Sequence, residues 1–579
     1  MQISSIERSF DRFLTTDLRD RTSSAAGSDV LADLAGRLNS VLAGADTGLG
    51  SALDGFFAAV QDVANNPGAI PERQVLLGQG DLLADRFVFL DERLAAFDRE
   101  VGQRLTDSVE RINSAAQRIA SLNTQIVDAR RTGSEPNDLL DARDQVVLEL
   151  ANLVGVTTVA QDDGALNVFI GKGQSLVVGD IVSELQVFSD ADGTGRTQVG
   201  LAGIADPADI GAFLTGGELG AALQFRNSVV DPARSQLGVV AAGITQVFNN
   251  QQGLGLDLNG DPGSAFFSAL EPGVTPGFSN TGAGVVNAVI SDVAALTGAD
   301  YEVRFDGSDF TVINLDTGAA QTGAGPSFSV DGLEISIAST PAANDSFRIT
   351  PTTGAAGRFA VALQDPRQIA AASPVRVSSS VANAGTGTLG SIEVTTSSGL
   401  PLATDIVLTF NPDALGVGVP GFDVTGAAGG PIAFDPASDS AGISVSLGNL
   451  SFELGGTPEI GDSFTIGNNE NGTGDNRNAL ELADLQRQTN LLGGTASFQD
   501  AYAGLVGAVA VSGQQARSLA ATEGALLEQA QAALTSTQGG NLDEEAANLI
   551  RYQQAYAAAA QVIAVADEVF QILLDATRR

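Results

Sequence analysis

Apolar positions along the chain follow two different rhythms. At both ends they recur at helical spacing, and in the middle they alternate with polar residues at period two. In the first third, Ile6, Phe10 and Phe13 mark one stripe, and Leu31, Leu34, Leu38 and Val41 mark another. Asn65-Asn66-Pro67-Gly68 breaks the pattern, and Pro71 then stands at a first helical position, followed by Glu72. From Leu105 a heptad stripe runs through Ser108, Ile112, Ala115, Ile119, Leu122, Ile126 and Ala129. Spacing of that kind keeps one seam facing a partner helix. Arg130-Arg131 suit the negative end of a helix dipole, and Gly133 suits its termination. A further helix is predicted from about Asn137, with Leu139, Leu140, Val146, Val147, Leu150 and Leu153.

Period-two alternation begins after Asp163-Gly164, at Leu166, Val168 and Ile170, and continues at Leu176–Val178 and Leu185–Phe188. Helical spacing returns over Leu219–Asn249. From about 256 to 470 the chain is strand-like and rich in Gly, Ser, Thr and Asp. This stretch holds 23 acidic and 5 basic residues, close to half of the net charge of −39. It also repeats itself. Asp331–Ile337 matches Gly448–Leu454, and Thr340-Pro341, Asp345-Ser346-Phe347 and Ile349 match Thr457-Pro458, Asp462-Ser463-Phe464 and Ile466, all at an offset of 117. Upstream, Asp300–Phe305 resembles Asp405–Phe410. Each copy reads as a hairpin with a Pro-containing turn and an Asp just ahead of the second strand. Two copies predict a duplicated β-fold, whereas a solenoid needs at least three.

Asn468–Asn478 is polar and Gly-containing and reads as a linker. Helical spacing resumes at Leu480, Leu482 and Leu485 and again over Phe498–Leu534. Gly539-Gly540 punctuates the chain, and Asn541 or Asp543 can cap a last helix with Glu544 and Glu545 in its first turn. That helix carries heptad positions Leu549, Tyr552, Tyr556, Ala559, Ile563, Ala566, Phe570 and Leu573, and ends at Arg578-Arg579. The fold class expected is α+β multidomain: a helical, coiled-coil domain built from both chain ends, with antiparallel β-domains inserted. The division expected is 1–154 and 155–255 for the N-terminal helices and a small β segment of that domain, 256–372 for a first β-domain, 373–470 for a second, inserted one, 471–540 for the returning helices and 541–579 for a terminal coiled-coil helix. Left exposed, the terminal seam is an aggregation liability. Leu549, Tyr552, Tyr556, Ile563, Phe570 and Leu573 are therefore the expected subunit-packing residues, with burial inside the chain's own fold as the alternative.

Composition narrows the chemistry. The chain has no Cys, His or Trp and a single Lys, Lys172. Thiolate and imidazole catalysis and the usual zinc sites are excluded. The acidic balance argues against nucleic acid and anionic membrane surfaces as partners. No stretch approaches ~18 uncharged apolar residues, the length that crosses a bilayer. The N-terminus has no apolar run of the secretory-signal kind. Asp257-Leu258-Asn259-Gly260-Asp261 begins like a calcium loop, but its twelfth position is Ser268, not a bidentate Glu, so a Gly-Asp turn is expected. Gly171-Lys172-Gly173 lies between strands and lacks the spacing of a phosphate loop, so it too reads as a turn. Asn471-Gly472-Thr473 fits a glycosylation sequon, a weak signal by itself. Glycoside hydrolysis needs two carboxylates across a cleft, and here the acids sit in turns without an aromatic sugar platform. No catalytic, cofactor-binding or metal residue is assigned, and the chain is expected not to be an enzyme.

Gly540–Glu545 with Leu549, Gln553, Tyr556, Ala558, Ala560 and Ile563 resembles the closing signature of flagellar axial proteins. Other segments resemble one family among them, that of hook-associated protein 1. They are Asp475-Asn476-Arg477-Asn478-Ala479 with Leu485-Gln486, Phe498–Tyr502 with Leu505-Val506, Pro136–Asp141 with Arg143-Asp144, and Phe248-Asn249 running through Asp257 and Asn259-Gly260-Asp261 to Phe266-Phe267. Together they cover nearly the whole chain in family order. The opening helix of that family has no counterpart here, since the sequence starts where that segment has ended, and Ser373–Glu470 reads as an insertion relative to compact members. The resemblance implies a ring of copies at the hook–filament junction outside the cell, exported without a cleaved signal peptide. Hook protein, a second junction protein (hook-associated protein 3) and flagellin are its implied neighbours, and a cytoplasmic chaperone binds about Asn541–Arg579. The alternatives are another axial subunit, flagellin-like or hook-like, and a secreted adhesive or glycan-binding β-protein.

Overall fold

A computed structural model of the chain describes residues 11–577 except 45–46, 134, 191–194, 205–207, 340, 471 and 539–541. Ile6, Phe10, Thr340, Asn471, Gly539, Gly540, Asn541, Arg578 and Arg579, named above, lie outside the described residues.

The N-terminal helices follow the sequence signals. Helix α1, Arg12–Leu42, is capped by the Asp11 carboxylate, which accepts from the amides of Phe13 and Leu14 at 2.8 and 3.1 Å. Helix α2 is Gly50–Asn65, and the Asn-Pro-Gly break separates it from α3, Ile70–Arg131, which has Pro71 in its first turn and Arg130 and Arg131 in its last. Gly133 follows at φ +81°, a left-handed backbone that Gly adopts without strain. The heptad seam from Leu105 is the second half of this 62-residue helix. It packs on α4, Asn137–Leu153, and on a small antiparallel sheet of β1 Val156–Ala160, β2 Leu166–Ile170, β3 Gln174–Val178 and β4 Ile181–Val182. A hairpin, β5 Leu185–Ser189 with β6 Thr197–Leu201, lies beside it.

Asn123, buried beside the apolar seam, is there for a reason. Its carboxamide donates to the carbonyls of Leu166 and Gly179 and accepts from the Leu166 amide and from Arg143, joining α3, α4 and the sheet through one buried network.

Helix α5, Gly217–Phe225, continues through a π-helical turn, Arg226–Val230, into α6, Asp231–Gly253. Pro232 explains the wide turn: it has no N–H to give to the carbonyl four residues back. Sequence periodicity showed one helix here and not the turn. At the centre of this body Phe56, Phe248, Phe266 and Phe267 pack ring to ring at 4.8–5.7 Å. Asn249 fixes the last pair. Its side chain accepts from both Phe amides and donates to the Phe267 carbonyl. Arg73, fully buried, donates to the carbonyls of Pro67, Pro366 and Ile369, so the turn before α3 and the segment returning from the first β-domain share one guanidinium. Burial pulls its pKa down to about 10, partly countered by Asp257.

The middle of the chain is the same fold twice. The first copy comprises β7 Gly273–Pro276, β8 Val286–Ile290, β9 Tyr301–Phe305, β10 Phe310–Asn314, β11 Ala320–Gly323, β12 Ser327–Val330, β13 Leu333–Ile337 and β14 Ser346–Thr350. The second comprises β15 Val375–Ser379, β16 Thr388–Leu389, β17 Glu393–Val394, β18 Ile406–Asn411, β19 Gly421–Thr425, β20 Ile432–Ala433, the short helix α7 Pro436–Asp439, β21 Ile443–Leu447, β22 Leu450–Gly455 and β23 Ser463–Asn468. The sheet order β11-β10-β9-β14-β7 becomes β20-β19-β18-β23-β15, and β12-β13-β8 becomes β21-β22 with β16 and β17. The partner of β22 is split where β8 is continuous. The first copy shares the hydrophobic core of the helical body, while the second has a core of its own around Leu408, Phe422, Phe434, Leu454, Phe464 and Ile466.

The polar stretch read as a linker is instead a clasp. Asn476 donates to the carbonyl of Ala64 at the end of α2, Arg477 to that of Val375, and Asn478 to that of Ala370 while accepting from Gln251 of α6. Burial pushes the Asp475 carboxyl up, and the N–H groups of Arg477 outweigh that and hold it below the ordinary carboxylate value. These polar residues form a clasp because each gives a side-chain donor to a backbone carbonyl of a distant segment.

Candidate assembly surface

The clasp runs into α8, Arg477–Asp484, which is followed by α9, Phe498–Gln538, and α10, Leu542–Thr577. Helix α9 runs antiparallel along α1. The Tyr502 hydroxyl donates to the Leu42 carbonyl at 2.7 Å, and Arg21 pairs with Glu523 at 3.4 Å. Small residues let the two helices approach, with Gly513 against the backbone of Ala35. The two ends of the chain thus form one helical unit, as the distribution of helical spacing predicted.

Helix α10 differs from every other helix. Its described side chains are all exposed. Leu549, Tyr552, Tyr556, Ile563, Phe570 and Leu573 are 59–80% exposed, so none is buried within this chain. A second stripe was not read from the sequence: Val562, Val565, Val569 and Ile572, at spacings of three, four and three, are also exposed. Each residue of the second stripe stands one position before a residue of the first, so at 3.6 residues per turn the two stripes lie about 100° apart around the helix. Gln553, Gln554, Gln561, Asp567, Glu568 and Gln571 occupy the remaining face. The period-3.5 signal was legible for the first stripe because it holds the aromatics, whereas the valine stripe is diluted by Ala555 and Ala558.

Such a helix presents two apolar faces, each suited to packing against another helix. Burying one large apolar side chain contributes roughly 1.5–3 kcal/mol. Within Leu549–Leu574 an 18-residue stretch reaches a mean hydropathy of 1.6, long and apolar enough to cross a membrane although Arg551, Asp567 and Glu568 interrupt the uncharged run.

The other sequence candidates behave as turns. The Asp257 carboxylate accepts from the amides of Asn259 and Asp261, and Gly171-Lys172-Gly173 joins β2 to β3 with both glycines at positive φ. Among the described residues no group of three or more Asp and Glu is arranged to hold a metal ion.

The chain is thus a two-ended helical unit with β-domains set between its halves and an exposed apolar tail. The family model described as flagellar basal body rod FlgEFG protein C-terminal matches residues 539–576, the tail itself. The model for the flagellar hook-associated protein FlgK helical domain matches 35–267, and that for the flagellar hook-associated protein 1 D2-like domain matches 277–351. The chain is 30% identical to flagellar hook-associated protein 1 of Escherichia coli K12 over 580 aligned positions, covering 99% of this chain and 89% of the relative. The Salmonella typhimurium LT2 protein of the same name is also 30% identical, with the same coverage. The solved flagellar hook junction protein FlgK from Burkholderia pseudomallei superposes with a TM-score of 0.80 at 31% identity, over 90% of this chain and all of that one. The chain belongs to the flagellar hook-associated protein 1 family.

Proposed function

We propose that this chain is a structural subunit of the junction between flagellar hook and filament, needed for filament assembly and motility, and that it works by packing and not by catalysis. Family membership carries the junction role. The mode of action rests on α10, whose two exposed apolar stripes suit packing against neighbouring copies in a ring. Tyr552, Tyr556, Ile563 and Phe570, with Leu549 and Leu573, form one contact line in this reading.

The partners are further copies of the chain, hook protein on one side, and the second junction protein and flagellin on the other. The assembly lies outside the cell, reached by export without a cleaved signal peptide. Before export, about Asn541–Arg579 is held by a cytoplasmic chaperone, which covers the apolar stripes that are otherwise exposed. The two β-domains, taken as 256–372 and 373–470, project from the helical unit, a reading supported by two successive sets of strands, β7–β14 and β15–β23.

Deleting Asn541–Arg579 tests the proposal. The β-domains stay folded by circular dichroism and calorimetry, and the shortened chain fails to incorporate at hook tips. Normal filaments on cells carrying only the shortened chain would refute it.

A further inference from the structure

The duplication supplies an internal comparison. Two copies of one fold, in one chain, differ in what they display at the end away from the helical body. In the second copy, β15 leaves the body at Val375, held by Arg477, and pairs with β23 from Val375–Asn468 outward to Ser379–Phe464. Three loops hang from that outer end. The turn after β15 carries Val381 and is bonded to Ser463 through Ser380 and Asn383. The turn before β23 carries Ile460 and is bonded to Phe410 through Gly461. The long β18–β19 loop carries Leu415, Val417 and Val419 and is pinned by the Asp413 carboxylate, which accepts from the Gly418 amide. All five apolar side chains are exposed, Val381 and Val417 almost completely, and none belongs to the domain's own core.

In the first copy the equivalent β9–β10 loop is the polar turn Asp306-Gly307-Ser308-Asp309, with the Asp306 carboxylate accepting from the amides of Ser308 and Asp309. Ala343 stands where the second copy has Ile460, and Phe278, where it has Val381, is a lone exposed side chain. The fold therefore does not need an apolar tip. One copy has a patch and its twin does not.

Charge says what covers it. Residues 373–470 hold ten acidic residues and one basic one, Arg376, and the exposed Asp413 and Glu459 flank the patch. A second copy brings the same negative charge, and an anionic lipid surface is repelled as well. We infer that the outer tip of the second β-domain docks a protein surface on which apolar side chains are rimmed by Lys or Arg. This inference goes beyond the assembly role of the chain ends and does not depend on it.

Because the chain has no Cys, a single cysteine takes a polarity-sensitive dye at one place. Ala414→Cys reports on the tip and leaves its five apolar side chains intact, and Phe278→Cys reports on the first copy. Full-length protein is titrated with an amphipathic leucine–lysine peptide, with polylysine, with a leucine–glutamate peptide, and with phosphatidylglycerol and phosphatidylcholine vesicles. The expected result is a blue shift of the Ala414→Cys dye with the leucine–lysine peptide alone, and a silent Phe278→Cys dye. Leu415→Ser with Val419→Ser and Ile460→Ser weakens binding by about tenfold or more. Asp413→Asn with Glu459→Gln removes much of its salt dependence, and circular dichroism confirms that each variant is folded. Equal responses from both dyes, an equal response to polylysine, a response to either vesicle, or no response overturns the inference.

Discussion

Asp345 and Asp462, one in each β-domain, make the same three hydrogen bonds. Asp345 accepts from the amides of Thr281, Gly282 and Ala342, and Asp462 from those of Ala384, Gly385 and Glu459. Beside them, Asn280 and Asn383 each pair by side chain with the backbone of Ser346 and Ser463. For Asp345, burial acts to raise the pKa and the amides outweigh it; for Asp462 the amides lead. Both carboxyls sit below the ordinary value. Their contribution is therefore complete above the unfolded Asp pKa of about 4 and is lost as pH falls through the lower folded value. Calorimetry from pH 7 downward is expected to find both β-domains little changed to about pH 4 and destabilised below it. Asp462→Ala is expected to lower the melting of the second β-domain by several degrees and leave the rest of the molecule unmoved, because that domain has a separate core.

Tyr502→Phe removes the hydroxyl that ties α9 to the end of α1. The ring stays packed, so the expected loss is that of one buried hydrogen bond, about 1 kcal/mol, read from denaturant unfolding of the helical body.

The clasp predicts a change in coupling between domains. Asn476→Ala with Arg477→Ala leaves the carbonyls of Ala64 and Val375 without these donors. Limited proteolysis is expected to cut near 470–478 many times faster than in the unaltered chain. The released fragment around 375–468 keeps its β circular dichroism. Unfolding of both parts together would show that the clasp is part of a common core.

The two stripes of α10 are separable by mutation. Ile563→Ser with Phe570→Ser disables one and Val565→Ser with Val569→Ser the other, and neither touches the body of the monomer. Each pair is expected to cut incorporation at hook tips, measured by immunolabelling, by about tenfold or more, since each removes burial of two apolar side chains. If the valine pair assembles normally, only one face of the helix is used.

The sequence by itself determined the helical ends, the strand-rich middle and the duplication. Those follow from short-range causes: apolar spacing, Pro and Gly breaks, and a turn motif repeated at fixed offset. Tertiary structure decided what Asn123, Arg73, Asn249 and Asn476–Asn478 are for. A polar residue's buried partners are backbone groups brought up from distant parts of the chain, which local pattern does not specify. The same holds for the π turn at Arg226–Val230 and for the tips of the two β-domains. Only the strand pairing shows which loops face outward together, so the apolar tip of the second copy emerges as a difference between two places and not as a motif in either.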